Sequence, residues 1–231
     1  MTTANDQQMR AVRPSGPHKA RLRFERLPAA WCHPDRLAGL LPQGLPAGFQ
    51  GRLQGSPRLR LRLSALLTRR FALEPLGARD LATPEGRFAR LEGEALQSAL
   101  RRIGAIWHAR ALRNVILQDE LRRLIERLGR GNHRAGLRRT DLAPSDDRES
   151  EDAADDAPDV DTLIARIERD GLLALNAWCC LQPASLAARL RLKLPPCSEA
   201  DDEPPASHRE HGPRIVDAVV AMLAAEAEAR G

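Results

Sequence analysis

Residues that favour β-sheets are scarce in this sequence. Tyrosine is absent, and the 231 residues include only 6 Val, 7 Ile, 4 Phe and 3 Trp. β-Branched and aromatic side chains pack well on the pleated surface of a sheet, whereas Ala, Leu, Arg and Glu favour helices. Because Ala occurs 36 times and Leu 35 times, the composition excludes a predominantly β protein. We expect an all-α fold, organised as a single irregular helical bundle.

The chain also lacks long hydrophobic runs and paired cysteines. Its longest apolar runs, 172–181 and 218–225, are far shorter than the roughly 20 residues needed to span a bilayer. The first nineteen residues contain no apolar stretch typical of a secretory signal. The four cysteines form no CxxC pair, which indicates free thiols in a reducing compartment rather than a metal site. We therefore expect a soluble, cytoplasmic protein.

Motifs for nucleotide binding or catalysis are missing as well. Neither GxxxxGK[ST] nor GxGxxG occurs in the sequence. His33 follows Cys32, but neighbouring residues seldom face each other, so a capping role before Pro34 is the simpler interpretation. His208 and His211 have a spacing that could bind a metal on a helix, yet the Pro and Gly residues around them indicate a solvated loop. We expect no enzyme activity, no metal and no cofactor.

Charge is distributed unevenly along the chain. The net charge is +5, and 34 of the 36 basic residues are arginine. Residues 144–161 carry −8, so the remainder carries +13. A basic body is compatible with nucleic-acid binding through phosphate contacts. The same charges are explained by a solvated helical surface rich in arginine, whose positive charge is screened by the acidic segment. We prefer this interpretation to nucleic-acid binding. The few aromatic residues offer little for stacking bases.

Local signals predict where helices begin and end. Pro34 and Pro84 suit first helical positions, Thr83 suits the cap before Pro84, and Gly129 suits the end of a helix. A helix is also expected after Pro57, although its alternating leucines resemble a strand. The apolar positions that mark helix faces are Leu59, Leu63, Leu66 and Leu67; Leu96, Leu100, Ile103 and Trp107; Leu117, Leu121, Leu124 and Leu128; and Leu163, Ile167, Leu175 and Trp178.

Two of these residues, Trp107 and Leu121, are expected to lie in the main core. His108, at the edge of a helix face, is expected to be a structural histidine. Whether 110–113 continues the preceding helix or interrupts it is left open.

Composition divides the chain into a body, an insert and tails. We expect a disordered leader (1–19), a helical domain (20–195) interrupted by an acidic insert (138–159), a polar linker (196–212) and a C-terminal helix (213–231). The insert and the linker have too few apolar residues to offset an ordering cost of about 1–2 kcal/mol per residue, so both are expected to be mobile. The C-terminal helix could pack on the body or enter a groove of a partner, and both alternatives stay open.

Three short motifs follow one another along the chain. The first is Trp31-Cys32-His33-Pro34, and the second comprises Ile103-Gly104, 113–116 and Leu128-Gly129. The third comprises Gly171-Leu172-Leu173 and the closing stretch Arg189–Pro195, RLRLKLP. In this order they resemble the YscK/SctK family of type III secretion accessory proteins, over residues 20–137 and 160–195.

The resemblance implies a non-enzymatic, helical, cytosolic adaptor of the injectisome sorting platform, at the cytoplasmic face of the inner membrane. Members of this family connect the cytoplasmic domain of the inner-membrane ring protein SctD to the pod protein SctQ, which links to the stator and the ATPase. No nucleic acid, membrane insertion or small-molecule substrate is implied. Basic residues in the matched motifs are expected to be exposed partner contacts, with Arg113 and Arg189 first and Lys193 third; a solvated surface charge or a local helix-capping group is the alternative for each. The alternative function is that of a basic nucleic-acid-associated or regulatory helical protein.

Overall fold

The computed structural model describes residues 23–40, 56–144, 159–196 and 203–229, and the regular structure in these ranges is helical, with no strand. This confirms the all-α fold class. Two 3₁₀ turns, Pro28–Ala30 and Thr140–Leu142, accompany the α-helices. The α-helices are α1 (Pro34–Gly39), α2 (Pro57–Arg70), α3 (Ala78–Ala82), α4 (Pro84–Ala89), α5 (Gly93–Trp107), α6 (Ala109–Asn114), α7 (Gln118–Leu128), α8 (Arg130–Arg138), α9 (Val160–Cys179), α10 (Ala184–Lys193) and α11 (Ala206–Glu228).

The predicted helix boundaries of α1, α4 and α7 are confirmed by their capping geometry. His33 caps α1, because its Nδ1 accepts a hydrogen bond from the Asp35 amide at 3.3 Å. Thr83 caps α4 through a 3.0 Å bond that its hydroxyl accepts from the Gly86 amide. Gly129 ends α7 with a φ of +88°, a conformation that glycine adopts without steric cost.

The core consists of three apolar clusters arranged along the bundle. The central cluster joins α5, α9, α10 and α11, with Phe88 from α4. The N-terminal cluster joins the segment 24–37 to α2, to residues 73–89 and to the outer side of α10. The distal cluster joins α5, α6, α7 and α9. Among the residues that the structure describes, the N-terminal and distal clusters share no helix, and the central cluster lies between them in the contact network.

The last helix differs from its prediction. It begins at Ala206 rather than Pro213, and Pro213 lies inside it. The first turns are ordered because His208 and Gly212 are buried, the latter against Ala174 of α9. The predicted linker is therefore wrong over 206–212, and the histidines are on a helix instead of in a loop. The helix packs on its own body through Ile215, Val216, Val219 and Val220, all buried in the central cluster.

The apolar faces were predicted correctly in part. Trp107 is 8% exposed, as expected for a core residue. Leu121 is only half-buried, and the core of α7 is instead formed by Leu124 and Leu128. The predicted core position of Leu121 is wrong, because the distal cluster takes only Leu124 and Leu128 from α7 and leaves Leu121 partly exposed. The open question about 110–113 is resolved by a break at His108, which separates α5 from α6.

Several predicted segments fall outside the described residues. These are the leader 1–19, the part 145–158 of the acidic insert and the part 197–202 of the polar linker. At the start of the insert, residues 138–142 form the end of α8 and a 3₁₀ turn. None of the described helices combines the length and the apolar character that a membrane crossing requires.

Candidate functional site

Lys193, in the closing motif, is buried at the junction of α10 with the N-terminal cluster. Its side chain is 7% exposed. The Nζ atom donates hydrogen bonds to the carbonyl oxygens of Ala89 and Leu91 at 2.6 and 2.7 Å. It also lies 4.7 Å from the ring centre of Phe24 and 5.5 Å from that of Trp31, the geometry of a cation–π contact. Burial lowers the pKa of Lys193 to about 7.

The first and third motifs meet at this same junction. The His33 amide donates to the carbonyl oxygen of Leu192 at 2.8 Å. The Arg36 guanidinium donates to the carbonyl oxygens of Leu194 and Pro195 at 2.7 and 3.2 Å. The first motif and the closing motif, which are far apart in the chain, therefore pack against each other. We call this contact the joint at Lys193, and its residues stabilise the fold. The exposure expected for Lys193 is wrong.

Arg189 is also inside the protein. It is 2% exposed, and its Nη1 donates to the carbonyl oxygen of Ser185 at 3.1 Å and to the hydroxyl of Ser185. That hydroxyl donates to the carbonyl oxygen of Glu74 at 2.6 Å, which ties α10 to the segment before α3. The expected exposure of Arg189 is therefore wrong as well. Partner binding by Arg189 and Lys193 stays a prediction, and neither side chain faces solvent.

Arg113 is exposed, as expected, at the end of α6. Its guanidinium donates to the hydroxyl of Thr140 at 2.8 Å, which holds the side chain against the 3₁₀ turn after α8. Two large apolar side chains follow on the extended connection to α7: Ile116 is 85% exposed and Leu117 is 65% exposed. We call Arg113, Ile116 and Leu117 the α6–α7 surface. Exposed apolar side chains beside an arginine are typical of protein-binding patches.

A second exposed apolar patch lies on α2 and its surroundings. Leu61 and Leu66 of α2 are 60% and 61% exposed, Leu40 at the end of α1 is 39% exposed and borders the same groove as Leu66, and Phe71 directly after α2 is 36% exposed. Exposed arginines lie among these side chains on the same helix. We call the set the α2 surface: Leu40, Leu61, Leu66, Phe71, Arg58, Arg62, Arg69 and Arg70.

A cluster of titratable groups anchors the beginning of α11. The Asp170 carboxylate lies 2.6 Å from Nε2 of His108 and 3.4 Å from Nε2 of His208. The His208 ring stacks on Trp107, with 4.1 Å between ring centres and 7° between planes. Burial by itself would raise the pKa of Asp170, but the hydrogen bonds and positive charge of the two histidines outweigh it and hold this pKa well below its usual range.

The metal-ligating and nucleophilic side chains of the described residues are the next candidates for a site. Among them, no group of His, Cys, Asp and Glu side chains is arranged to hold a metal ion. Cys32 and Cys179 are buried thiols, and burial raises their pKa values to about 11 and about 12. Since the thiolate is the reactive form, both side chains are poor nucleophiles near neutral pH.

Sequence reasoning missed the buried cations because the closing motif alternates basic and apolar residues, which resembles a solvated helix surface. One signal was present. Lys193 is one of only two lysines in a chain with 34 arginines. A compact ammonium fits between two carbonyls and an aromatic ring where a planar guanidinium would not. The exposed Ile116 was inside a matched motif, yet its exposure required the structure.

Comparison with known proteins identifies the family. The model of the family described as "YOP proteins translocation protein K (YscK)" matches residues 20–228. The protein named "Nodulation protein NolU" of Rhizobium fredii is 34% identical over 183 residues, which cover 77% of this chain and 76% of that protein. A protein of the same name from Sinorhizobium fredii (strain NBRC 101917 / NGR234) matches with the same identity and coverage. No solved structure matches the chain significantly.

The matched region includes α1 to α11, and it contains both the joint at Lys193 and the two exposed surfaces. The three motifs that resembled this family all lie inside the matched region. The chain belongs to the YscK family of type III secretion accessory proteins.

Proposed function

We propose that this protein is a non-enzymatic adaptor of the type III secretion sorting platform, which binds the cytoplasmic domain of the ring protein SctD and the pod protein SctQ at the same time. It would act at the cytoplasmic face of the inner membrane, linked indirectly to the stator and the ATPase through SctQ. Membership of the YscK family supports the secretion role. The two-partner arrangement is supported by the distribution of exposed apolar residues.

The observation that carries this proposal is the separation of the two exposed surfaces. The helix that carries the α2 surface packs in the N-terminal cluster, and the residues next to the α6–α7 surface, Leu112 and Val115, pack in the distal cluster. These clusters share no helix in the described part of the chain, and the helices of the central cluster connect them. A partner on one surface would leave the other free. The packed helices between them would fix the spacing of the two partners.

Arg113 is the proposed contact on the α6–α7 surface. Its bond to Thr140 holds the guanidinium in place, so less side-chain entropy is lost on binding a carboxylate. Arg189 and Lys193 are proposed to support binding indirectly, since they fix α10 against the N-terminal cluster on which the α2 surface lies.

Co-purification with both partners from the same organism tests the function. The wild-type chain should capture the SctD cytoplasmic domain and SctQ together. Arg113→Glu or Ile116→Asp should reduce capture of one partner by about tenfold or more and leave the other bound, a change of at least about 1.4 kcal/mol in binding free energy. Because Ile116 is exposed, stability should change by no more than about 0.5 kcal/mol.

Leu181→Asp is the matched control, because Leu181 is 69% exposed in the turn between α9 and α10, outside both surfaces. It should leave capture of both partners unchanged. If the wild-type chain captures neither partner but binds duplex DNA with an affinity that falls steeply with salt, the adaptor function is wrong and the nucleic-acid alternative replaces it.

A further inference from the structure

Helix α2 carries charge of one sign only. Its fourteen residues include Arg58, Arg60, Arg62, Arg69 and Arg70 and no acidic residue. Its buried side is formed by Leu63 and Leu67, which pack in the N-terminal cluster, and by Ser64, whose hydroxyl accepts a hydrogen bond from the Ala29 amide. Of the three other leucines of the helix, Leu59 is partly buried against the same cluster, whereas Leu61 and Leu66 are exposed.

An apolar groove runs along one edge of this helix. It has a volume of about 330 Å³ and is lined by Leu37, Leu40, Leu63, Leu66 and Arg70, between α1 and α2. Because its walls are leucine side chains and one wall ends in a guanidinium, the groove matches an apolar anchor that has a carboxylate next to it.

We propose that the α2 surface binds an amphipathic helix of a partner protein, with leucine-type anchors in the groove and Asp or Glu residues against the arginines. This inference rests on the proposed adaptor function and specifies the chemistry of one partner. Helices that bind in grooves present anchors at i, i+3, i+4 and i+7. On such a helix the flanking acids would lie opposite Arg58, Arg62 and Arg69, so both the apolar and the charged parts of the surface are complemented.

Other occupants fit the surface less well. In a symmetric pair of this chain, the same patch would face itself, and two acid-free arginine helices would repel each other. The chain's own acidic residues 145–158 contain no Leu, Ile, Val, Phe or Met, so they have no side chain to fill the groove. A lipid surface requires a continuous outward apolar face, whereas the outward side of α2 consists largely of Arg58, Arg62 and Arg69.

Fluorescence anisotropy with synthetic peptides tests the inference on the full chain. The probe is a labelled helical peptide of about 18 residues, roughly five turns, with leucines at i, i+3, i+4 and i+7 and glutamates on both flanks. A second peptide has lysines in place of the glutamates, and a third has serines in place of the leucines. We expect the first peptide to bind at least about tenfold more tightly than either of the others.

Variants of the protein then locate the binding. Leu66→Ser and Arg62→Glu should each weaken the first peptide by about tenfold, a change of about 1.4 kcal/mol. Arg123→Glu, at an exposed position on α7, is the matched control and should leave binding unchanged. Circular dichroism should show the same helical content and melting in all three variants, since all three side chains are exposed.

Equal binding of the lysine peptide, or binding of the first peptide that is unaffected by Leu66→Ser and Arg62→Glu, would overturn the inference. So would binding to phosphatidylcholine–phosphatidylglycerol vesicles or to duplex DNA that is lost in the same two variants while the peptide does not bind. A negative result in the peptide-binding experiment can be distinguished from a failure of the adaptor function. If both secretion partners still co-purify with the Leu66→Ser protein, the adaptor function stands and only the assignment of the α2 surface is wrong.

Discussion

Gly104 and Gly171 face each other where α5 crosses α9, so closely that a Cβ added to Gly171 would lie 3.2 Å from the amide nitrogen of Gly104. The same Cβ would clash with the carbonyl oxygen of Leu100, and one on Gly104 would clash with the carbonyl oxygen of Ile167. The two backbones therefore touch without side chains between them. This crossing lies between Ile103, in the central cluster, and Ile167, in the distal cluster, so its spacing fixes both.

Gly104→Ala should lower the free energy of unfolding by about 1–3 kcal/mol, as expected for overpacking against backbone. The sign is diagnostic, because alanine is the better helix former by about 1 kcal/mol in the absence of contacts. Gly131→Ala is the matched control: it is on α8, exposed, and a Cβ there would meet nothing within 4 Å. It should leave stability unchanged or raise it by up to about 1 kcal/mol. Urea denaturation followed by circular dichroism measures both, and equal effects would show that the two helices are further apart.

Lys193 should make stability rise with pH just above neutrality. Burial lowers its pKa to about 7 in the folded protein, from an ordinary value of 10.5. Between these values the unfolded chain binds more protons than the folded one, so the free energy of unfolding increases with pH. From pH 7 to 8.5 we expect a rise of about 1–2 kcal/mol in the wild type relative to Lys193→Met, which has no titrating group at this position.

At higher pH the buried thiols act in the opposite direction, but they do so equally in the wild type and in Lys193→Met, so the difference between the two proteins still reports Lys193. The pKa values of Cys32 and Cys179 are raised to about 11 and about 12 from 9.0, so the folded state retains protons that the unfolded chain loses, and stability falls. Lys193→Leu serves as a second comparison, since it also removes the titrating group from this buried position. If all three proteins show the same pH dependence in denaturant titrations, Lys193 is not desolvated as described.

The sequence predicted those features that depend on a few neighbouring residues. The caps at His33 and Thr83 and the turn at Gly129 were predicted because each is decided within about one helical turn. The fold class followed from composition. Packing between distant segments was not predictable in this way. Lys193 and Arg189 have the local pattern of solvated cations, and they are enclosed only where α10 meets residues 24–36 and 74–91.

The candidate site was predicted to a smaller extent. Arg113 was expected to be exposed and is exposed. The α2 surface was not predicted, because Leu59, Leu63, Leu66 and Leu67 form one stripe in the sequence and only some of them are buried in the structure. A helical stripe indicates which residues share a face, but how far the next helix covers that face depends on tertiary packing.

Asp170→Asn should destabilise the protein at neutral pH by about 1.5–3 kcal/mol, the range for a hydrogen bond to an ionised group. The pKa of Asp170 lies well below its ordinary value near 3.8 in the folded protein. The stabilisation is therefore complete above about pH 4 and is lost as the pH falls below it. When the pH is lowered, the free energy of unfolding should fall less in the variant than in the wild type. The measurement runs from about pH 6 to about pH 3, the range in which carboxyl groups take up protons.

Glu168→Gln on the same helix is the control for Asp170. Its carboxylate bonds Arg101 at 2.9 Å, but both side chains are substantially exposed, so the loss should not exceed about 1 kcal/mol. Equal losses in the two variants would mean that the His108–Asp170–His208 cluster contributes no more than a surface ion pair.

Pro213→Ala separates two descriptions of the last helix. If α11 began at Pro213, proline would occupy its favoured first position, and alanine there would lower stability slightly. In the structure Pro213 follows two turns of helix, where its ring and missing N–H cost about 3 kcal/mol. Removing proline also frees the unfolded chain, which offsets up to about 1 kcal/mol of the gain. Pro213→Ala should thus raise the free energy of unfolding by about 1–2 kcal/mol in thermal or urea denaturation. A decrease instead would place the start of the helix at Pro213 and remove His208 from its stack on Trp107.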